Sequence, residues 1–161
     1  MARVLIVGCG CRGQRLARAL VAEEHAVRGT TRREEGLPAI EASGAEAVLA
    51  DPNRLGTLLP HLQGVSVLCW LMGSATGEGA AALHGERLDA LLETLVDTHV
   101  RGAVYEAAGT VTSELLAEGT AIARRASATY AMPVALVTAP PAEPELWLED
   151  ALRAVASVLS A

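Results

Sequence analysis

The sequence predicts a doubly wound parallel α/β sheet, three layers deep, in a single domain over residues 1–161. Three observations lead there. Short runs rich in Val, Leu and Ile alternate about six times with longer stretches of helical period. Those runs are apolar at nearly every position, as strands covered on both faces must be. A glycine-rich turn also follows the first run, where such a sheet opens its ligand crevice.

The first strand is read at Arg3 to Val7, which is aliphatic from Val4 onward. Gly13, Leu16, Ala17 and Leu20 then recur at helical spacing and mark one face of the first helix. Ala26 to Thr30 is the second strand, Pro38 to Ser43 a short helical candidate, and Ala45 to Ala50 the third strand. A further helical candidate covers Leu55 to Leu62 before the fourth strand, Val65 to Leu71. The next helix turns Leu88, Leu91, Leu92, Leu95 and Val96 to one side. Gly102 to Glu106 is the fifth strand, Leu115 to Thr129 the following helix, and Val134 to Thr138 the sixth strand. Pro140, Pro141 and Pro144 lie in a loop leading into the last helix, where proline is tolerated in the first turn. That helix is expected to carry Leu148, Leu152, Val155 and Leu159 toward the sheet. Right-handed crossovers give the strand order 3-2-1-4-5-6 and put the crevice beside the first strand.

A domain of 161 residues with 51% hydrophobic content buries roughly 70% of the surface its unfolded chain exposes, so it needs no disulfide or metal to fold. The 13 basic residues are all arginine, against 19 acidic ones, for a net charge of -6. Any mechanism that requires a lysine is excluded. The acidic balance and only two Trp and two Tyr argue against a nucleic-acid partner, which needs a basic face and stacking aromatics. Cys9, Cys11 and Cys69 are an odd set without CxxC spacing, which fits a reduced, cytoplasmic setting. No signal segment or apolar stretch of about 18 residues is present, so no membrane partner is expected. No two of His25, His61, His84 and His99 have the i, i+4 metal spacing; they are read as surface or core residues, and no metal is expected.

The sharpest signal is Val4-Leu5-Ile6-Val7-Gly8-Cys9-Gly10-Cys11-Arg12-Gly13, a strand that ends in G-x-G-x-x-G and opens a helix. Gly8 permits the tight turn, Gly10 lets backbone approach a pyrophosphate, and Gly13 lets helix and strand pack closely. The helix amides then face the anion. The competing reading is a glycine turn that binds nothing. Arg12 either reaches a phosphate or pairs with an acidic neighbour. Cys9 and Cys11 sit where a helix N-terminus lowers a thiol pKa, but filling a crowded turn with small residues is the favoured reading.

An NAD site places an acid at the end of the second strand, to hold the ribose hydroxyls. Here the residues are Gly29-Thr30-Thr31-Arg32-Arg33. A guanidinium fork suits a 2′-phosphate, so NADP is favoured. NAD is the alternative, through Glu34 or Glu35 after a shift of the turn, and a third reading pairs both arginines with those glutamates on the surface. Asp51, after the third strand, either meets the adenine or caps the next turn.

These segments, with Leu71-Met72-Gly73-Ser74-Ala75 after the fourth strand, resemble the extended and atypical, epimerase-like branch of the short-chain dehydrogenase/reductase superfamily, whose cofactor domain is a Rossmann fold. The resemblance covers the whole chain. It implies that Gly8, Cys9, Gly10, Cys11, Arg12 and Gly13 line the pyrophosphate and that Thr31, Arg32 and Arg33 meet the 2′-phosphate. It also implies Asp51 at the adenine and Met72 and Gly73 on the ribose side.

Two departures stand out. The family's catalytic Tyr-x-x-x-Lys pair is absent: Tyr130 is followed by Ala131-Met132-Pro133-Val134 and Tyr105 by Glu106-Ala107-Ala108-Gly109. Arg124 and Arg125 are only a weak electrostatic substitute, and a tyrosine near pKa 10 is a poor acid at neutral pH. Extended members also add a substrate domain that these residues do not encode. Either a second chain supplies a lid, or the loops Gly73 to Gly79 and Ala107 to Ser113 enclose a small pocket, with Tyr105 and Glu106 as the remaining catalytic candidates. Three functions follow in order: an NADP-binding protein of regulatory role without the standard catalysis, an NAD(P)H-dependent oxidoreductase of atypical chemistry, and a scaffold that binds no cofactor. A homodimer through the leucine-rich helices, or a separate partner chain, fits any of them.

Overall fold

A computed structural model describes Met1–Ala161 throughout. Six strands are formed: β1 (Arg3–Val7), β2 (Ala26–Thr31), β3 (Glu46–Leu49), β4 (Val67–Trp70), β5 (Gly102–Glu106) and β6 (Val134–Val137). Five α-helices connect and follow them: α1 (Cys11–Ala22), α2 (Leu37–Ala42), α3 (Glu86–Leu95), α4 (Ser113–Tyr130) and α5 (Pro144–Ser160). All neighbours pair in parallel, in the order β3-β2-β1-β4-β5-β6. The expected doubly wound sheet is therefore the observed one.

Alternation along the central strands feeds two apolar layers. Leu5, Val7, Leu68, Trp70, Ala103 and Tyr105 pack with Leu88, Leu91, Leu92 and Leu95 of α3 and with Ile122, Ala123 and Ala126 of α4. Val4, Ile6, Val67, Cys69 and Val104 face the other way, against α1, α2 and α5. Strands β1, β4 and β5 thus close on both sides, while β2 and the edge strands β3 and β6 stay partly exposed.

Several details differ from the sequence reading. Leu55 to Leu62 is not an α-helix but two short 3₁₀ turns, Leu55–Thr57 and Leu59–Leu62. Gly56 weakens the helix, and Pro60 removes an amide donor and crowds the preceding turn. Val96 caps α3 and is half exposed instead of facing the sheet. On α5 the buried stripe is Trp147, Ala151, Ala154, Val155 and Val158; Leu148, Leu152 and Leu159 flank it, partly buried. The small alanines let α5 lie close, so the bulkier leucines take the margins. The strands as formed also leave out Ala45, Ala50, Val65, Ser66, Leu71 and Thr138, although the Ala50 and Leu71 amides still bond to the Thr31 and Val7 carbonyls at 3.0 Å. Thr138 instead donates its amide to Asp150 Oδ2 of α5 at 2.8 Å.

Chain reversal is locally encoded. Thr112 caps α4 by accepting the Leu115 amide, and α4 ends at Ala131 in the left-handed region, φ 50°, two residues before Pro133. By contrast, α1 begins at Gly10 with no side-chain cap, which leaves its first turn open toward the crevice.

Candidate functional site

A crevice of about 330 Å³ opens at the carboxyl ends of β1, β2 and β4, where the strand order reverses. Its floor is the turn from β1 into α1. Gly8 takes φ 86°, and a Cβ there would lie 2.6 Å from the Leu71 carbonyl oxygen. At Gly13 a Cβ would meet the Gly8 carbonyl oxygen and Ile6 at 3.2 Å, which is the contact of helix on strand. Gly10 differs from both, because a Cβ there would have nothing within 4 Å. Gly10 is exposed and lines the crevice.

The backbone amides of Cys11, Arg12 and Gly13 donate to no group of the protein; the first helical bond is Gln14 N–H to the Gly10 carbonyl at 2.8 Å. Three bare donors at the positive end of a 12-residue helix make an anion cradle. The turn is anchored from β2, with Cys9 N–H donating to the Thr30 carbonyl at 3.2 Å and Gly8 N–H to Thr30 Oγ1 at 3.4 Å.

On the β2–β3 side, Thr31 and Arg32 line the crevice and Arg33 does not. Thr31 Oγ1 accepts the Arg33 amide at 3.3 Å and so shapes the turn. Arg32 is exposed and neither it nor Arg33 pairs with Glu34 or Glu35; the ion pairs of the chain belong to other residues. Asp51 Oδ1 accepts the Asn53 amide at 2.9 Å, so its carboxylate serves the turn, and Ala50, Pro52 and Asn53 form the wall instead.

On the β4–β5 side, Met72, Ser74, Ala75 and Thr76 line the crevice. Gly73 lies behind them, pressed against Ala108 and Gly109 so closely that neither glycine has room for a side chain. Glu106 is fully buried and accepts four hydrogen bonds, from Arg12 Nε at 2.9 Å, Arg12 Nη2 at 3.0 Å, Gly73 N–H at 2.8 Å and Trp147 Nε1–H at 2.9 Å. Arg12 Nη2 also reaches Ser74 Oγ at 3.2 Å, and its guanidinium carbon lies 5.8 Å from the centre of the Trp147 ring. Arg12 therefore pairs with an acid, and one carboxylate ties α1, β5, α5 and the loop after β4 together.

Tyr105 points to the opposite layer. Its hydroxyl lies 2.6 Å from His84 Nδ1, and His84 Nε2 lies 2.8 Å from the Met72 carbonyl. A carbonyl only accepts, so Nε2 carries the proton and Nδ1 accepts from the tyrosine. Both residues are buried. Burial, reinforced by the charges of Glu106 and Glu118, pushes the Tyr105 hydroxyl well above its ordinary value. Burial lowers His84, against the opposing pull of the Met72 carbonyl, Glu106 and Glu118. Cys9 is likewise buried and its thiol is pushed up to about 12, the reverse of activation, while Cys11 is exposed.

Sequence reasoning missed His84 and Trp147 at these positions, and gave Ser74 only as part of the turn after the fourth strand. The i, i+4 test for histidine cannot detect a partner on a distant strand, and Trp147 reads as one more apolar residue of a helix. No three of the His, Cys, Asp or Glu side chains converge as a metal set, and no helix is long and apolar enough to cross a membrane.

No protein-family profile and no curated protein matches the sequence. Solved structures do. BdcA (YjgI) from E. coli is similar over 94% of this chain and 88% of its own, with 15% identity and a TM-score of 0.73. The dTDP-glucose 4,6-dehydratase of Bacillus anthracis, solved in complex with NAD, gives 16% identity and a TM-score of 0.65 over 84% of this chain and 53% of its own. The Citrobacter sp. triphenylmethane reductase, complexed with NADP(H), gives 18% identity and 0.63 over 83% and 48%. This chain spans about half the length of those two enzymes. Likeness at such low identity is a likeness of fold, and it makes this chain a six-stranded Rossmann domain of the kind these proteins contain.

Proposed function

We propose that the chain binds NADP(H) in this crevice and acts as a cofactor-binding or regulatory protein without short-chain dehydrogenase catalysis. The observation that carries the reading is the unpartnered first turn of α1, opposite the open face of Gly10. A diphosphate there would gain charge-assisted bonds from Cys11, Arg12 and Gly13 N–H. Arg32, unpaired at the end of β2, suits a 2′-phosphate, with Thr31 beside it and Arg33 adjacent in sequence. Met72 lines the crevice on the side where the ribose of the nicotinamide half would lie, and Gly73 packs behind it. NAD bound to the dehydratase and NADP(H) bound to the reductase support a nicotinamide dinucleotide as the ligand class.

A bound nicotinamide would supply a hydride donor or acceptor. The chain's own residues supply little to move a proton beside it. The Tyr105 hydroxyl donates into the core toward His84, and both Glu106 oxygens are occupied. Binding is thus the function that the arrangement favours over turnover.

Calorimetric titration with NADPH and NADH tests this. NADPH is expected to bind more tightly than NADH, and Arg32→Ala to weaken NADPH by about 1.5–3 kcal/mol while leaving NADH unchanged. An equal loss for both cofactors would refute the 2′-phosphate assignment; no heat from either at millimolar concentration would refute the function.

A further inference from the structure

We propose that Arg12 makes the crevice selective for the reduced cofactor, so that occupancy follows the ratio of NADPH to NADP⁺; the inference rests on the dinucleotide reading above. Arg12 arises in the glycine turn, yet its guanidinium sits at the ends of β4 and β5, held by Glu106 at 2.9 and 3.0 Å and by Ser74 Oγ at 3.2 Å. In a doubly wound sheet the dinucleotide lies across the switch point, with one half over β2–β3 and the other over β4–β5. With the 2′-phosphate at Arg32 after β2, the nicotinamide falls on the half where Arg12 stands.

The pair is oriented. The Arg12 side chain is 27% exposed and lines the crevice, whereas the Glu106 side chain is 0% exposed. Nε and Nη2 are engaged, and Nη1 donates to no group of the protein. The carboxylate is turned inward, to the Gly73 amide and the Trp147 indole. A ligand on this half therefore meets the positive end of the pair first.

The other charged residues of the crevice are Arg32 and Glu78. Glu78 precedes Gly79, where a Cβ would meet the Asn53 side-chain amide of the loop after β3 at 2.7 Å. Arg32 and the backbone at Glu78–Gly79 thus lie toward the adenosine half, which is the same in the two oxidation states. The nicotinamide ring carries a full positive charge when oxidised and none when reduced. Arg12 repels only the oxidised ring, and the inward Glu106 cancels part of that repulsion. With that cancellation the surplus is of the order of a pair of charges screened by bulk water, a preference of about 3- to 10-fold.

The test is calorimetric titration of the whole chain with NADPH and with NADP⁺ at low ionic strength. NADPH should bind at least about threefold more tightly; a ratio near one, or one favouring NADP⁺, overturns the proposal. Removing Arg12 alone strands a buried carboxylate, so the variant of choice is Arg12→Met with Glu106→Gln, checked for a native circular dichroism spectrum. Its ratio should fall to about one, and a preserved preference in the folded double variant assigns the selectivity elsewhere and overturns the role of Arg12. If the double variant does not fold, Ser74→Ala, which frees one Arg12 contact, should shift the ratio, and an unchanged ratio counts against the proposal. Equal affinities for the two forms defeat the selectivity alone; binding of neither form defeats the dinucleotide reading with it.

Discussion

Replacing Glu106 by alanine isolates what holds the β4–β5 side of the crevice together. The carboxylate has no exposed surface and takes four donors: two from Arg12, one backbone amide and one indole. Truncation strands the Gly73 and Trp147 donors in the interior and leaves the guanidinium without its counter-charge. Breaking a buried pair by removing one partner costs about 3–5 kcal/mol. The Arg12 side chain is about one quarter exposed and can turn part of its charge to water, which places the expected loss near the lower end, about 3 kcal/mol. For a chain of this length each kcal/mol lowers the Tm by about 2–4 °C, so the fall is about 6–12 °C. Urea unfolding followed by circular dichroism measures the same quantity, and the midpoint should fall with the slope m unchanged. A loss below about 1 kcal/mol would refute the reasoning, because it is the size of an ordinary exposed ion pair.

Two further outcomes follow from the opposite layer. Burial holds His84 below its ordinary value of 6.5, so the unfolded chain takes up a proton there before the folded chain does. Stability from this group is complete above that pH and declines as pH falls through it; the urea midpoint should drop between about pH 7 and pH 5 by more in the wild type than in His84→Gln, and equal drops would contradict a neutral buried imidazole. At Gly119 of α4 a Cβ would collide with the Tyr105 hydroxyl. Gly119→Ala should therefore destabilise by about 1–3 kcal/mol, although the same change in an open helix interior stabilises by about 1 kcal/mol; a stabilised variant in thermal melts would contradict the packing described.

The sheet was legible because its strands are local. Val4 to Val7 and Gly102 to Glu106 are short apolar runs bounded by turns, and the handedness of crossovers leaves few orders for six of them. The glycine turn was legible for a steric reason: Gly8 and Gly13 meet two different demands, each with a physical counterpart in the fold, and Gly10 is left with open space beside it. What escaped was non-local. Arg12 and Glu106 are separated by 94 residues and His84 and Tyr105 by 21, and no periodicity connects either pair. Asp51 could be read toward the crevice or toward its own turn, and the Asn53 amide takes it. Leu55 to Leu62 carries helical spacing, but spacing says nothing of Gly56 and Pro60, which break the hydrogen-bond ladder.

The central claim concerns the bare amides under Gly10, and Gly10→Val addresses them with little disturbance of the fold. A Cβ there meets no protein atom within 4 Å, and the valine methyls are expected to enter the space assigned to the diphosphate. The account predicts a Tm within about 3 °C of wild type together with at least a tenfold weaker affinity for NADPH, about 1.4 kcal/mol or more, in side-by-side calorimetric titrations. A folded Gly10→Val protein that binds NADPH as tightly as wild type would contradict it.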